Sequence, residues 1–314
     1  MGPTFGGYLT DVLNWRWVFY INVPVCFINF FLVWFFIRKT NNTPRAIDWR
    51  GVILMCTAVA TLQLILDRGQ VDDWFNSEFI CAMSLVCASA LISFLIHSFT
   101  YEKPIINLRL FKDKNFAVGC LVMMCFSAFV FGSLTLLPQM LETLFNYTSN
   151  LAGITMAPRG IASACMMLVV SKLMMRGIQP RWLIMFGLSV ASLTTWYLSC
   201  INLDTNFAFF IQLGLISGLG IGCFFVPLTT VVYATLPKDS IAEAAGLFSF
   251  CRNIGNAIGI SFLTTYLSRQ TQIQWHTLGV HINIMQANFQ HWLSVYHLSL
   301  HQACLLYTSP SPRD

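Results

Sequence analysis

Eight runs of about twenty mostly apolar residues dominate this chain, near 17–37, 50–66, 79–99, 116–138, 151–171, 182–201, 207–235 and 244–267. A helix of that length crosses a bilayer core of ~30 Å. Within hydrocarbon, an α-helix satisfies its own backbone donors and acceptors. The expected fold is therefore all-α, a polytopic membrane helix bundle. Of 314 residues, 56% are apolar and only 10% are charged, and the mean hydropathy is +0.65. A soluble domain carries about 25% charged residues. This chain cannot coat a globular surface, which excludes a soluble enzyme, a nucleic-acid binder and a disordered regulator.

Charge placement sets the orientation. With the first full helix ending in the cytoplasm, the inside segments hold Arg38, Lys39, Arg45, Arg50, Lys103, Arg109, Lys112, Lys114, Lys172, Arg176, Arg181 and Lys238. The outside segments hold Arg16, Arg68 and Arg269. Such alternation is what the positive-inside rule demands of eight crossings. Trp15, Trp17, Trp74 and Tyr147 fall at the expected outer ends, where aromatic rings anchor at the headgroup level. A multi-pass protein of the cell inner (plasma) membrane, with lipid around it, is expected.

Metal and redox chemistry find little support. The eleven cysteines form no CxxC pair, and most lie inside apolar runs, where Cys behaves as a small soft hydrophobe. His297 and His301 stand at helical i,i+4 spacing without carboxylate or Cys support, so no metal site and no catalytic residue is expected. An integral-membrane enzyme needs convergent His, Asp or Glu at one membrane face, and the loops offer no such cluster. That reading and a passive membrane scaffold stand as the rivals to a transporter.

Several polar and small residues inside the runs carry the functional expectations. Arg252 lies about eleven residues, ~16 Å, into its helix, where an Arg costs ~2.5–3.5 kcal/mol on insertion scales. With Asn253 and Asn256 it forms a polar patch that lines a cavity or locks two helices. Arg159, between Pro158 and Gly160, is a further candidate for the cavity or polar lock; it lies closer to the outer surface, where it could instead snorkel outward in a structural role. Gly214, Gly218 and Gly222 give one helix a small face for close contact, and Pro227 gives it a bend beside Phe224 and Phe225. Aromatic walls near a hinge suit a cavity for lipophilic ligands.

At the start, Gly2-Pro3-Thr4-Phe5-Gly6-Gly7 is followed by Trp15-Arg16-Trp17 and Tyr20-Ile21-Asn22-Val23-Pro24. Gly2 and Gly6 stand four apart, a smooth helix face, and Pro3 removes one backbone donor. The string is similar to the antiporter motif, at the end of helix five, of fourteen-helix drug:proton antiporters of the major facilitator superfamily, the EmrB/QacA type. The resemblance runs collinearly through Ala46-Ile47-Asp48-Trp49-Arg50-Gly51, Leu66-Asp67-Arg68-Gly69-Gln70, Pro104 to Phe111, Ala157-Pro158-Arg159-Gly160, Pro180-Arg181-Trp182-Leu183, Phe225 to Thr230 and Gly246 to Gly255.

The resemblance implies a lobe end at 1–45, two inserted linker helices at 46–102 and the helices of a second lobe at 103–269. It also implies an extracytoplasmic loop at 270–300. Residues 301–314 read as a truncated or non-native tail. Gly2, Pro3, Gly6 and Gly7 would hold two helices together and seal the outer side. At Met175, where such second-half loops commonly carry Asp, this chain departs from the pattern. The implied activity is export of lipophilic or cationic small molecules in exchange for protons, with no cofactor beyond the proton gradient. The proton-binding acid would lie on earlier helices, so the chain alone is expected not to transport. In double-membrane bacteria, a periplasmic adaptor and an outer-membrane channel would serve as partners.

Overall fold

A computed structural model describes residues 2–36, 48–101, 106–202 and 204–281, apart from the side chains of Pro3, Asp239 and 278–281. Ten α-helices follow in order: α1 Gly2–Val12, α2 Trp17–Tyr20, α3 Asn22–Phe36, α4 Trp49–Arg68 and α5 Glu78–Thr100. They continue with α6 Lys114–Leu144, α7 Ser149–Met175, α8 Pro180–Ser199, α9 Phe207–Ala234 and α10 Ile241–His281. No strand occurs among the described residues. The expected basic residues Arg38, Lys39, Arg45 and Lys103, the motif positions 46–47 and 104–105, the pair His297 and His301, and the tail lie outside the described residues.

Local sequence explains the helix ends. Asp113 Oδ1 accepts from the Phe116 N–H at 3.0 Å and starts α6, while Thr148 Oγ1 accepts from the Leu151 N–H at 3.3 Å and starts α7. Pro180 occupies the first turn of α8, where its missing donor is no loss. Gly177 ends α7 with φ +89°, a left-handed stop that favours glycine.

Among the described residues, seven helical segments are long and apolar enough to cross a membrane: Trp17–Phe36, Trp49–Arg68, Glu78–Thr100, Lys114–Thr143, Ser149–Met175, Pro180–Ser199 and Phe207–Ala234. The chain is a multi-pass membrane protein. The eighth expected crossing, 244–267, is helical within α10, but Arg252, Asn253 and Asn256 make it more polar than the other seven. A second correction concerns 270–300, expected as a loop. Residues 270–281 continue α10, because Gln270 to His276 contains neither Gly nor Pro and the Thr271 and Thr277 hydroxyls donate back to carbonyls one turn earlier.

The chain divides into two compact units, residues 1–47 with 107–255, and residues 48–106 with 256–314. The first contains α1–α3, α6–α9 and the start of α10. In the second, α4 and α5 pair along most of their length. Asp48 caps α4 through the Gly51 N–H at 3.0 Å and accepts from His97 Nε2 of α5 at 2.9 Å. Ser261 of α10 donates to the Leu66 carbonyl at 2.8 Å in the same unit. The expected boundary at 269 thus falls inside α10, which passes between units after Gly255.

Candidate functional site

Small residues on α9 decide how closely its neighbours approach. A methyl group added at Gly218 would run into the Arg159 carbonyl oxygen and stand 2.8 Å from Ala162 Cβ. At Gly222 it would stand 2.7 Å from Met166 Cβ and 2.8 Å from the Ser163 carbonyl oxygen. Gly214 is looser, 3.4 Å from the Thr155 carbonyl oxygen. On the opposite side of α9, a methyl at Gly187 of α8 would meet the Gly220 carbonyl oxygen at 2.7 Å. Helix α9 is therefore wedged between α7 and α8. In lipid such contact rests on van der Waals fit, since tails are as apolar as the side chains.

That wedge points Arg159 inward. It lies about ten residues, ~15 Å, along α7, and lines a cavity of about 40 Å³ bounded by α6, α7, α8 and α9. Ser133, Thr155, Thr194, Thr195 and Ser217 surround it, with Phe129, Leu137 and Phe210 among the apolar walls. Four of the hydroxyls donate to carbonyls of their own helices: Ser133 to Phe129 at 2.9 Å, Thr155 to Ala152 at 2.6 Å, and Thr194 and Thr195 to Ala191 at 2.9 Å each. Their oxygens keep acceptor capacity but no free proton. The Arg159 guanidinium is thus the strong donor of the cavity. Among the described residues no carboxylate or carbonyl pairs with it, and no acid lines the cavity. The space admits water or a small head group, not a drug-sized body. Of the two alternatives for Arg159, the structure has it lining a cavity, because close contact with α9 turns its helix face inward.

A second, larger space adjoins the first. A groove of about 700 Å³ runs between α6 and α8, lined by Leu121, Val122, Cys125, Phe126 and Phe129 on one side and by Leu188, Ala191, Ser192, Thr195, Trp196 and Ser199 on the other. Phe129 and Thr195 line both spaces. The volume falls in the range of small-molecule sites, and the walls are mostly apolar. An amphiphile could place its body in the groove and its head beside Arg159.

The other expected residues are distributed as follows. Phe224 is fully buried and stacks on Phe126 with centroids 3.7 Å apart, so it backs the groove wall without lining it. Phe225 meets Phe126 edge-on at 5.8 Å. Pro227 is buried inside an unbroken α9. Half-buried Arg252 contributes to neither space. Its carbonyl accepts from Ser127 Oγ at 3.0 Å, and its charge lies within range of the Tyr233 hydroxyl. Asn253 is exposed, and Asn256 Oδ1 is buried with no partner among the described residues. The two arginines expected to act in the membrane do not share a site.

In the N-terminal motif, the close approach belongs to Gly7, where an added methyl would strike the Ser149 carbonyl oxygen of α7. Gly2 and Gly6 meet nothing within 4 Å among the described residues, and the contact with α7 is made at Gly7. Thr4 Oγ1 donates to the Gly153 carbonyl at 2.8 Å, and the Asn150 N–H donates to Asp11 Oδ2 at 2.9 Å. Asp11 thereby places a carboxylate at the positive end of α7.

The model of the Major Facilitator Superfamily matches residues 1–260. The chain belongs to that superfamily. It is 32% identical over 307 residues to the multidrug export protein EmrB of Haemophilus influenzae, covering 95% of this chain and 59% of that protein. It is 32% identical over 292 residues to EmrB of Escherichia coli K12, covering 92% of this chain and 57% of that protein. The fatty acid resistance protein FarB of Neisseria gonorrhoeae is 30% identical over 284 residues, with 90% of this chain and 56% of FarB covered. The chain spans a little over half the length of these curated relatives.

Within this superfamily member, sequence reasoning missed Phe126, Phe129, Thr195, Trp196 and the hydroxyl ring. Their signal was present as spacing: 122, 125, 126, 129 and 133 follow one face of α6, and 188, 191, 192, 195, 196 and 199 follow one face of α8. Apolar stripes of this kind face lipid, protein or a groove alike until the neighbours are known.

Proposed function

We propose that this chain forms the ligand-handling part of a multidrug exporter of the plasma (inner) membrane, driven by proton antiport. The observation that carries the reading is Arg159, without a partner among the described residues, in a hydroxyl-lined cavity beside a lipophilic groove. Support comes from the names of its relatives, two of them multidrug export proteins. The ligand is a lipophilic small molecule. Between the cationic head expected from the resemblance and an anionic one, the electrostatics favour the anion. A cation would meet Arg159 with no carboxylate between them in either space. FarB, named for fatty acid resistance, is a relative whose ligand would carry such a head.

No acid lines the cavity or the groove, so the proton-binding carboxylate of the proposed antiport lies elsewhere in the working transporter. In a double-membrane cell, a periplasmic adaptor and an outer-membrane channel would complete the export route. The test is a graft. This chain replaces the matching segment of Escherichia coli EmrB, and accumulation of a lipophilic weak acid is followed in cells producing the hybrid. Lower accumulation, abolished when the proton gradient is collapsed, is the expected result. Accumulation equal to that of empty cells, from a hybrid present at normal level in the membrane, overturns the reading.

A further inference from the structure

Away from both spaces, α6 and α10 meet at a fixed crossing within the first unit. A methyl group at Gly255 would strike the Met124 carbonyl oxygen, and Ser127 Oγ donates to the Arg252 carbonyl at 3.0 Å. One turn before Met124 stands Cys120, and one turn before Gly255 stands Cys251. The crossing sets these two side chains beside one another on facing helices. Cys120 is 2% exposed, and both cysteines are free. Cysteines scattered singly through hydrocarbon act as small apolar residues, but two thiols set side by side across a helix crossing can chelate a soft element.

We infer that Cys120 and Cys251 form a dithiol site for thiophilic metal and metalloid compounds, of which an aryl arsenic(III) oxide is the best-suited probe. Two arsenic–sulfur bonds form, the arsenic–oxygen bond breaks, and both thiol protons leave with that oxygen as water. Arsenic stays trivalent, so the step needs no oxidant or reductant. The site is about six residues, ~9 Å, from the start of α6, within reach of a lipid-soluble reagent. Soft thiol ligands select such elements over harder cations. Occupancy staples α6 to α10, independently of whether the chain exports anything.

Phenylarsine oxide added to the purified chain in detergent tests the site. One phenylarsenic group per chain is expected by intact mass, stable to an excess of monothiol and released by 2,3-dimercaptopropanol. After proteolysis, the peptides carrying Cys120 and Cys251 should remain joined. C120A and C251A, each checked for an unchanged elution profile, should lose the monothiol-resistant adduct, whereas C223A, buried elsewhere in the unit, should keep it. Ser replacements at the same two positions serve if an Ala variant fails to fold. Absence of the adduct from the unsubstituted chain, or its persistence in either single variant, overturns the proposal.

Discussion

Replacing Gly218 by Ala tests whether the α7–α9 contact is as tight as its geometry says. In a helix interior, Ala is favoured over Gly by ~0.8–1.0 kcal/mol. Gly246, on an exposed turn of α10, meets nothing within 4 Å among the described residues, so Gly246→Ala should realise that gain. At Gly218 the same methyl would enter the Arg159 carbonyl oxygen and lie 2.8 Å from Ala162 Cβ. A backbone oxygen cannot swing aside as a side chain can, and overpacking of this kind costs about 1–3 kcal/mol. Propensity cancels between the two variants, leaving the clash as their difference. For a chain of this size that difference is on the order of 5 °C in unfolding midpoint. The assay is thermal unfolding in detergent, read by loss of the monodisperse elution peak. Gly246→Ala should rise and Gly218→Ala should fall. Equal midpoints for the two variants would refute the close contact and the inward aim of Arg159 that depends on it.

Two further outcomes follow from single residues. The Phe116 N–H, and after it the Thr235 hydroxyl and the Asn115 N–H, hold the Asp113 carboxyl below its ordinary range against a small opposing effect of burial. A depressed carboxyl contributes stability above the ordinary carboxylate range and loses it as the pH falls through its lowered value. Asp113→Asn should therefore lower the midpoint near neutrality, converge with the unsubstituted chain in acid and so flatten the acid side of the midpoint-against-pH curve; an unchanged acid slope would contradict the cap. Trp196→Ala removes one exposed aromatic wall of the groove, and an aromatic contact is worth ~0.5–1.5 kcal/mol. Affinity for a neutral lipophile, measured by equilibrium dialysis, should drop roughly 2- to 10-fold without loss of thermal stability. No change would place the ligand elsewhere.

Much of the architecture was legible because bilayer thickness imposes a length on each helix. Seven of the apolar runs became membrane-length helices, and membership in the Major Facilitator Superfamily followed from motifs that stand in collinear order. What the runs did not reveal was direction around each helix. Arg159 and Arg252 look alike in sequence, each a charge inside an apolar run. One turns into a cavity because Gly218 draws its backbone against α9; the other sits at a crossing held by Ser127 and Gly255. Gly2 and Gly6 have the spacing of a contact face, yet Gly7 makes the contact, since only its position opposes Ser149. The Asp48–His97 pair escaped notice because its members stand 49 residues apart and meet only when α4 and α5 pair. Partners of this kind are set by tertiary contact, and no local pattern encodes them.

The central claim is that Arg159 binds the charged head of a lipophilic anion whose body occupies the α6–α8 groove. Affinities of the purified chain for a long-chain carboxylate and for its methyl ester test it most directly. A hydrogen bond to a charged group is worth ~1.5–3 kcal/mol, so the acid should bind about 10- to 100-fold more tightly than the ester. Arg159→Gln should erase that preference and leave ester binding intact, and Arg159→Lys should restore part of it. Equal affinity for acid and ester in the unsubstituted chain, or a preference that survives Arg159→Gln, would contradict the account.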